Sequence, residues 1–208
     1  MITNSLLIYT DEEDPDLKNY FKDCADRIST IFEGHSGVHL TIEEGGRLYD
    51  NSVNLSECVF QQFQSPIFLL ILSHGSESGF YRYKASQTPF LSIEPAIPNC
   101  LSNGVLYSVA CLTGKKFGTW LGSHEGSFFG YFQSVTVVYG EEKTYAYLDS
   151  LGAHYILTGK TLKEVKSLMQ AAYTLKIDES ISNIFLASAL RKARDSICIH
   201  GRTDHRFF

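Results

Sequence analysis

Two residues offer the clearest chemistry in this sequence. His74 follows the apolar run Ile67-Phe68-Leu69-Leu70-Ile71-Leu72 and Ser73, and Cys111 follows Val105-Leu106-Tyr107-Ser108-Val109-Ala110. A cysteine thiolate is a strong nucleophile toward a carbonyl carbon, and a nearby imidazole can move protons at neutral pH, above all onto a departing amine. The negative charge that develops on the carbonyl oxygen needs hydrogen-bond donors. Gly75 carries no side chain, so its N–H can approach closely, and the N–H of Cys111 is the natural second donor. Loss of one such donor typically lowers a rate about 100- to 1000-fold. This chemistry needs no metal and no organic cofactor.

Taken singly, each residue has a plainer reading. An unpaired cysteine often packs as a small hydrophobe, and His-Gly after a strand is an ordinary turn. Their shared placement is what sets them apart. Both fall at the carboxyl ends of runs that are apolar on both faces, as central strands of a parallel sheet are, and open α/β sheets bind their ligands at that edge. If the two strands are neighbours, the thiol and the imidazole face one cleft from adjacent loops, however far apart they lie in sequence.

The remaining elements must build that sheet. Leu6 to Thr10 reads as a buried strand. Asp14 is a helix N-cap with Pro15 at the first helical position, and Leu17, Tyr20, Phe21, Cys24, Ile28, Ile31 and Phe32 mark one helix face up to Gly34. Gly37 to Glu44 alternates like a second strand, and 53–63 is a weaker helical segment. Tyr81 to Phe90 suits a small hairpin. Lys116 to Gly122 is a short helix, and a fifth strand lies within Phe128 to Val138, centred on Ser134-Val135-Thr136-Val137-Val138. Thr161 and Glu164 form a capping-box pattern that opens a helix to about residue 176, and a last helix covers Ile184 to Arg194. Alternating strands and helices predict a single α/β domain over 1–208 with a mostly parallel sheet.

Bulk properties exclude several classes. The net charge of −5 provides no basic footprint, which argues against nucleic acid as a partner. No apolar run approaches the roughly 18 residues of a membrane span, and the N-terminus lacks the pattern of a secretory signal, so a membrane partner is not expected. The five cysteines Cys24, Cys58, Cys100, Cys111 and Cys198 are scattered without a CxxC pair, which disfavours a disulfide framework and a thiolate zinc site and favours a reducing cytoplasm. Cys198, His200 and His205 read as a solvated tail rather than a metal site. His35, His39, His124 and His154 stand alone. No phosphate-cradling glycine loop supports a nucleotide-binding alternative.

An apolar strand ending in His74-Gly75, followed by one ending in Ala110-Cys111-Leu112-Thr113-Gly114, resembles the clan of caspases, metacaspases, gingipains, clostripain, separase and the bacterial CHAT proteases. Val109 stands where the caspase pattern has Gln, and Gly114 lies three positions past the cysteine rather than two. These departures bring the second block nearest to the CHAT type. The resemblance implies a caspase-like three-layer αβα sandwich and a His-Cys dyad cysteine endopeptidase. Its partner would be a protein substrate, in a setting of bacterial antiviral defence where a gasdermin-like pore former or another effector is activated by clipping. The chain shows no obvious regulatory domain, so control is expected to lie in oligomerisation, self-cleavage or a regulatory partner. The alternative is a catalytically inactive scaffold or adaptor of the same fold.

The substrate-binding residues stay open at this level. Asp11, Glu12, Glu13 and Asp14 sit where acids complement a helix dipole. One of them, or Glu141, Glu142 or Asp149 in the loop after the fifth strand, could instead line a pocket for a basic side chain, as acids do in some members of the clan. The aromatic groups Tyr81, Tyr83 and Phe90, and Phe128, Phe129, Tyr131 and Phe132, read mainly as packing, with a peptide-holding rim as the alternative.

Overall fold

The computed structural model describes residues 2–11, 13–44, 60, 63, 66–84, 86, 88–93 and 99–208. The chain opens with β1 (Asn4–Tyr9) and passes at once into α1 (Pro15–Glu33). The Asp14 carboxylate accepts the Asp16 N–H at 3.0 Å, Pro15 fills the first turn, and the N–H groups of Gly34 and His35 close the last turn onto the Ile31 and Phe32 carbonyls. Next comes β2 (His39–Glu44), followed by β3 (Ile67–Leu72), all six of whose residues are buried. The helix expected over 53–63 falls outside the described residues except for Phe60, which is buried, and Phe63.

Three short antiparallel strands follow, β4 (His74–Gly75), β5 (Gly79–Tyr81) and β6 (Leu91–Ser92). The hairpin expected over 81–90 is therefore drawn differently. Its strands flank residues 82–90, and the histidine itself lies on a third strand. Beyond them are β7 (Val105–Val109), α2 (Lys116–Ser123), β8 (Ser127–Tyr131), α3 (Glu142–Leu157), α4 (Leu162–Glu179), α5 (Ile184–Ser196) and β9 (Ile197–His200).

The main sheet has the order β2-β1-β3-β7-β8-β9, parallel throughout except for the antiparallel pair β8–β9. One face packs Leu7, Phe68, Leu70, Tyr107 and Phe129 against α1, α3, α4 and α5. The other packs Leu6, Leu69, Ile71 and Leu106 against Phe80, Phe117 and Leu121 of β5 and α2. The chain is thus α/β with a mostly parallel six-stranded sheet and, among the described residues, five helices, an arrangement compatible with a three-layer sandwich. No helix among the described residues is long and apolar enough to cross a membrane.

Three expectations are corrected. The fifth strand is Ser127–Tyr131, not Ser134–Val138, because the earlier segment finds β7 and β9 as ladder partners. The later Val-rich segment, despite its β propensity, runs past the sheet over the loop that carries Cys111. Residues 142–157 are a helix rather than a loop. Its N-terminus has no side-chain cap, and buried residues occupy most of its circumference, so no amphipathic stripe announces it. Gly152 sits mid-helix because a Cβ there would lie 2.2 Å from the Tyr107 ring. Finally, Cys198 and His200 belong to β9 and are half-buried, and beyond them Phe207 is buried in the core, so the segment is not a solvated tail although His205 is exposed.

Candidate active site

The path of the chain locates the cleft. From β1 the chain moves outward to β2 and then returns past β1 to β3, β7 and β8, so the winding direction reverses between β1 and β3. Loops leaving the carboxyl ends of strands on either side of such a switch point diverge and open a crevice. Here α1 leaves β1, His74 follows β3, and Cys111 follows β7. β3 and β7 are parallel neighbours with Leu72 opposite Val109, and the Ser73 N–H continues the contact to the Val109 carbonyl at 3.3 Å. His74 and Cys111 are both half-buried and line one cavity of about 490 Å³.

Backbone contact holds the two loops together. A Cβ on Gly75 would lie 2.4 Å from the Cys111 carbonyl oxygen and 2.7 Å from Thr113 Cγ2, so only glycine permits this approach. Gly75→Ala is therefore expected to force the loops apart and lower stability by about 1–3 kcal/mol, read from urea unfolding. Far-UV circular dichroism should stay unchanged, and an alanine variant as stable as the wild type would contradict this reading. The His74 ring meets Phe21 of α1 edge-on, with centroids 6.2 Å apart, which fixes its orientation from the β1 side.

The two expected oxyanion donors can be followed through the hydrogen bonds. The Ser76 N–H bonds to the Gly79 carbonyl at 2.9 Å, which makes Ser76–Gly79 a hydrogen-bonded pair of the β4–β5 hairpin. Pairs alternate along an antiparallel ladder, so Gly75–Phe80 is a non-bonded pair and the Gly75 N–H points away from β5, off the sheet edge. Among the described residues the Cys111 N–H donates to no backbone carbonyl, whereas its neighbours are engaged: Leu112 N–H to Gln133 O at 3.2 Å and Gly114 N–H to Tyr131 O at 3.0 Å. Leu112 has φ of 65°, a left-handed conformation that is strained for a branched side chain and is held here by the surrounding contacts.

The turn after the cysteine is braced from two sides. The Glu77 carbonyl, at the tip of the β4–β5 hairpin, accepts the N–H groups of Lys116 and Phe117 at 3.2 and 2.8 Å where α2 begins. Its exposed carboxylate also meets Lys115 and Lys116, which hold its pKa below the ordinary value. On the other side, His200 Nε2 donates to the Gly114 carbonyl at 2.7 Å, and a Cβ on Gly114 would strike Cys198 Sγ.

The thiol has partners that no spacing argument reveals. Val135 donates its N–H to Cys111 Sγ at 3.3 Å, the thiol hydrogen is in reach of the Val135 carbonyl at 3.5 Å, and Ser134 Oγ lies at 3.8 Å. Ser134 and Val135, of the segment whose composition suits a strand, are thus laid against the Cys111 sulfur.

The acidic candidates separate clearly. Asp14 and Glu142 line the cleft, together with Asp16 and with Lys84 as a cation. Asp11 instead forms a two-pronged ion pair with Arg82, Nε to Oδ1 and Nη2 to Oδ2 both at 2.9 Å, and this guanidinium holds its carboxyl below the ordinary value. Glu12 lies outside the described residues. Glu141 accepts a bond from Thr144 Oγ1 at 2.9 Å.

Asp149 is not in a loop and not open to a ligand. It lies fully buried on α3 and accepts bonds from Tyr20 at 2.5 Å, Tyr173 at 2.8 Å and Tyr131. Burial raises its carboxyl above the ordinary value, and the three phenol donors oppose that shift. Tyr20 and Tyr131 also line the cleft, so its floor rests on this buried carboxyl. The other aromatic candidates divide similarly: Phe128 and Phe129 are core residues, while Tyr81 is half-buried. The isolated histidines are not all isolated, since the rings of His35 and His154 meet edge-on at 6.4 Å. Among the described residues no group of three potential metal ligands occurs.

No protein-family model matches the sequence, and no curated protein matches it.

Proposed function

We propose that the chain is a cysteine endopeptidase with a caspase-like fold, nearest in its motif to the CHAT type. The observation that carries this reading is the convergence of His74 and Cys111 on one cleft from the carboxyl ends of adjacent parallel strands. In this mechanism the Cys111 thiol passes its proton to His74 as Sγ attacks the carbonyl carbon of a peptide bond, and the oxyanion forms toward the N–H groups of Gly75 and Cys111. His74 gives its proton to the departing amine as the C–N bond breaks, leaving a thioester. It then takes a proton from the water whose oxygen adds to the thioester carbon, and returns that proton to Sγ as the C–S bond breaks, which restores the thiol and releases the acid. The substrate is a protein, and the resemblance makes a gasdermin-like pore former or another defence effector in the cytoplasm the first candidate.

A second reading, an inactive scaffold or adaptor, draws on the bonding of the thiol to Val135 and Ser134, which would satisfy a packed cysteine equally well.

Iodoacetamide labelling separates the two. Burial pushes the Cys100 and Cys198 thiols up to about 12 and that of Cys24 well above its ordinary value, so these three react slowly. The peptidase reading expects mass spectrometry to find Cys111 modified first, and His74→Ala to slow that modification by about tenfold. Labelling of Cys111 that is no faster than that of Cys198, or that ignores His74→Ala, decides for the adaptor.

A further inference from the structure

The cavity that holds His74 and Cys111 is charged at its mouth and apolar at its base. The lining residues that are buried are Tyr20, Phe21, Ser73, Val109, Ala110 and Tyr131. Their polar atoms are already spent. Tyr20 and Tyr131 both donate their hydroxyls to the fully buried Asp149 carboxylate, so they present rings to the cleft. Ser73 Oγ donates to the His74 carbonyl at 3.0 Å. The half-buried Leu17 of α1, and Val135 and Val137 beside the thiol, extend this apolar base into walls and pack on the same core. Charge appears only where the lining is open to water: Asp14 and Lys84 are exposed, and Asp16 and Glu142 are half-buried. Two of these three acids are turned to backbone donors of their own turns, Asp14 to the Asp16 N–H and Glu142 to the Gly140 N–H at 2.7 Å.

We infer that this base is the pocket for the substrate residue whose carbonyl Cys111 attacks, and that it selects a large apolar side chain, that of leucine, methionine or phenylalanine. The inference rests on the peptidase reading of His74 and Cys111. A side chain branches one atom from the carbonyl carbon that meets Sγ, so it falls within the cavity that the thiol lines. Full burial of such a side chain is worth a factor of about 10 to 150 in binding. A basic side chain would meet Asp14, Asp16 and Glu142 only at the wet mouth, where an ion pair is worth at most about fivefold. A carboxylate side chain would be repelled by the same three acids and find no donor on the floor.

Peptidyl acyloxymethyl ketones that differ only in their last residue test this on the full chain. Cys111 Sγ displaces the probe's carboxylate, a C–S bond forming as the C–O bond breaks, and mass spectrometry follows the adduct. The leucine and phenylalanine probes are expected to modify Cys111 at least 30-fold faster than the arginine and aspartate probes. Leu17→Asp should lower the leucine-to-arginine rate ratio at least tenfold, and an acid suits this position in the first turn of α1. Val137→Asp, on a separate segment, should move the ratio the same way, with unchanged thermal melting confirming the fold of each variant. An arginine or aspartate probe as fast as the leucine probe, or a ratio that neither variant moves, overturns the inference while His74-dependent iodoacetamide labelling keeps the peptidase reading. Slow reaction of all four probes together with iodoacetamide labelling that ignores His74→Ala overturns both.

Discussion

Cys111→Ala is expected to lower cleavage of the protein substrate by about four orders of magnitude or more, with no change in the urea midpoint of unfolding. The magnitude follows from removing the atom that forms the covalent intermediate, since the groups acting with a nucleophile lose most of their effect with it. The fold is expected to tolerate the change because Cys111 is half-buried and its sulfur contacts come from the backbone of Val135 and the Ser134 hydroxyl, not from the core. His74→Ala should fall in the same range, and the double variant should be no worse than Cys111→Ala alone, as expected of residues that work as a unit. Incubating wild type and variants with the products of adjacent genes, and following fragments by mass spectrometry, measures this. A Cys111→Ala protein that still cuts would refute the mechanism.

Asp149→Ala carries the largest expected loss of stability, about 3 kcal/mol or more, read from urea unfolding. The substitution strips the buried Tyr20, Tyr131 and Tyr173 of a shared acceptor inside the fold. Its pH dependence has a definite sign. Because burial raises the folded carboxyl above the ordinary value of 3.8, the folded chain keeps a proton that the unfolded chain has already released. The contribution of Asp149 is therefore greatest below that ordinary value. It declines as pH rises toward the folded value and is level beyond it. The stability difference between wild type and Asp149→Asn should shrink with rising pH across this window, and a difference constant from about pH 3 to about pH 8 would contradict the assignment.

Much of the frame was legible because local signals and tertiary packing agree in it. The doubly apolar runs 67–72 and 105–110 became central strands, and the Asp14-Pro15 start, the Gly34 stop and the Thr161–Glu164 capping box are where they were expected. The same runs placed His74 and Cys111 at a common edge, although their neighbourhood could be settled only by the pairing of β3 with β7. Failures came where long-range contact overrides local preference. Ser134–Val138 has the composition of a strand, yet the sheet is filled by Ser127–Tyr131, and the Val-rich segment lies against Cys111 instead. α3 hid its character because it is packed on nearly all sides, and with it hid the role of Asp149. The β9 strand is short, and its partner β8 lies some seventy residues earlier in the chain, so nothing local distinguishes it from a tail.

That distant partner has a consequence for the order in which the molecule is made. β9 supplies the His200 bond to Gly114 and seats Cys198 against the turn that follows Cys111, so this turn is finished by residues added long after the cysteine itself. A nascent chain can pair β1, β3 and β7 early and still lack the brace that fixes the turn. The turn beside the thiol is braced only when residues 197–200 have been synthesised and paired, so the cleft takes its final shape well after Cys111 itself has been made.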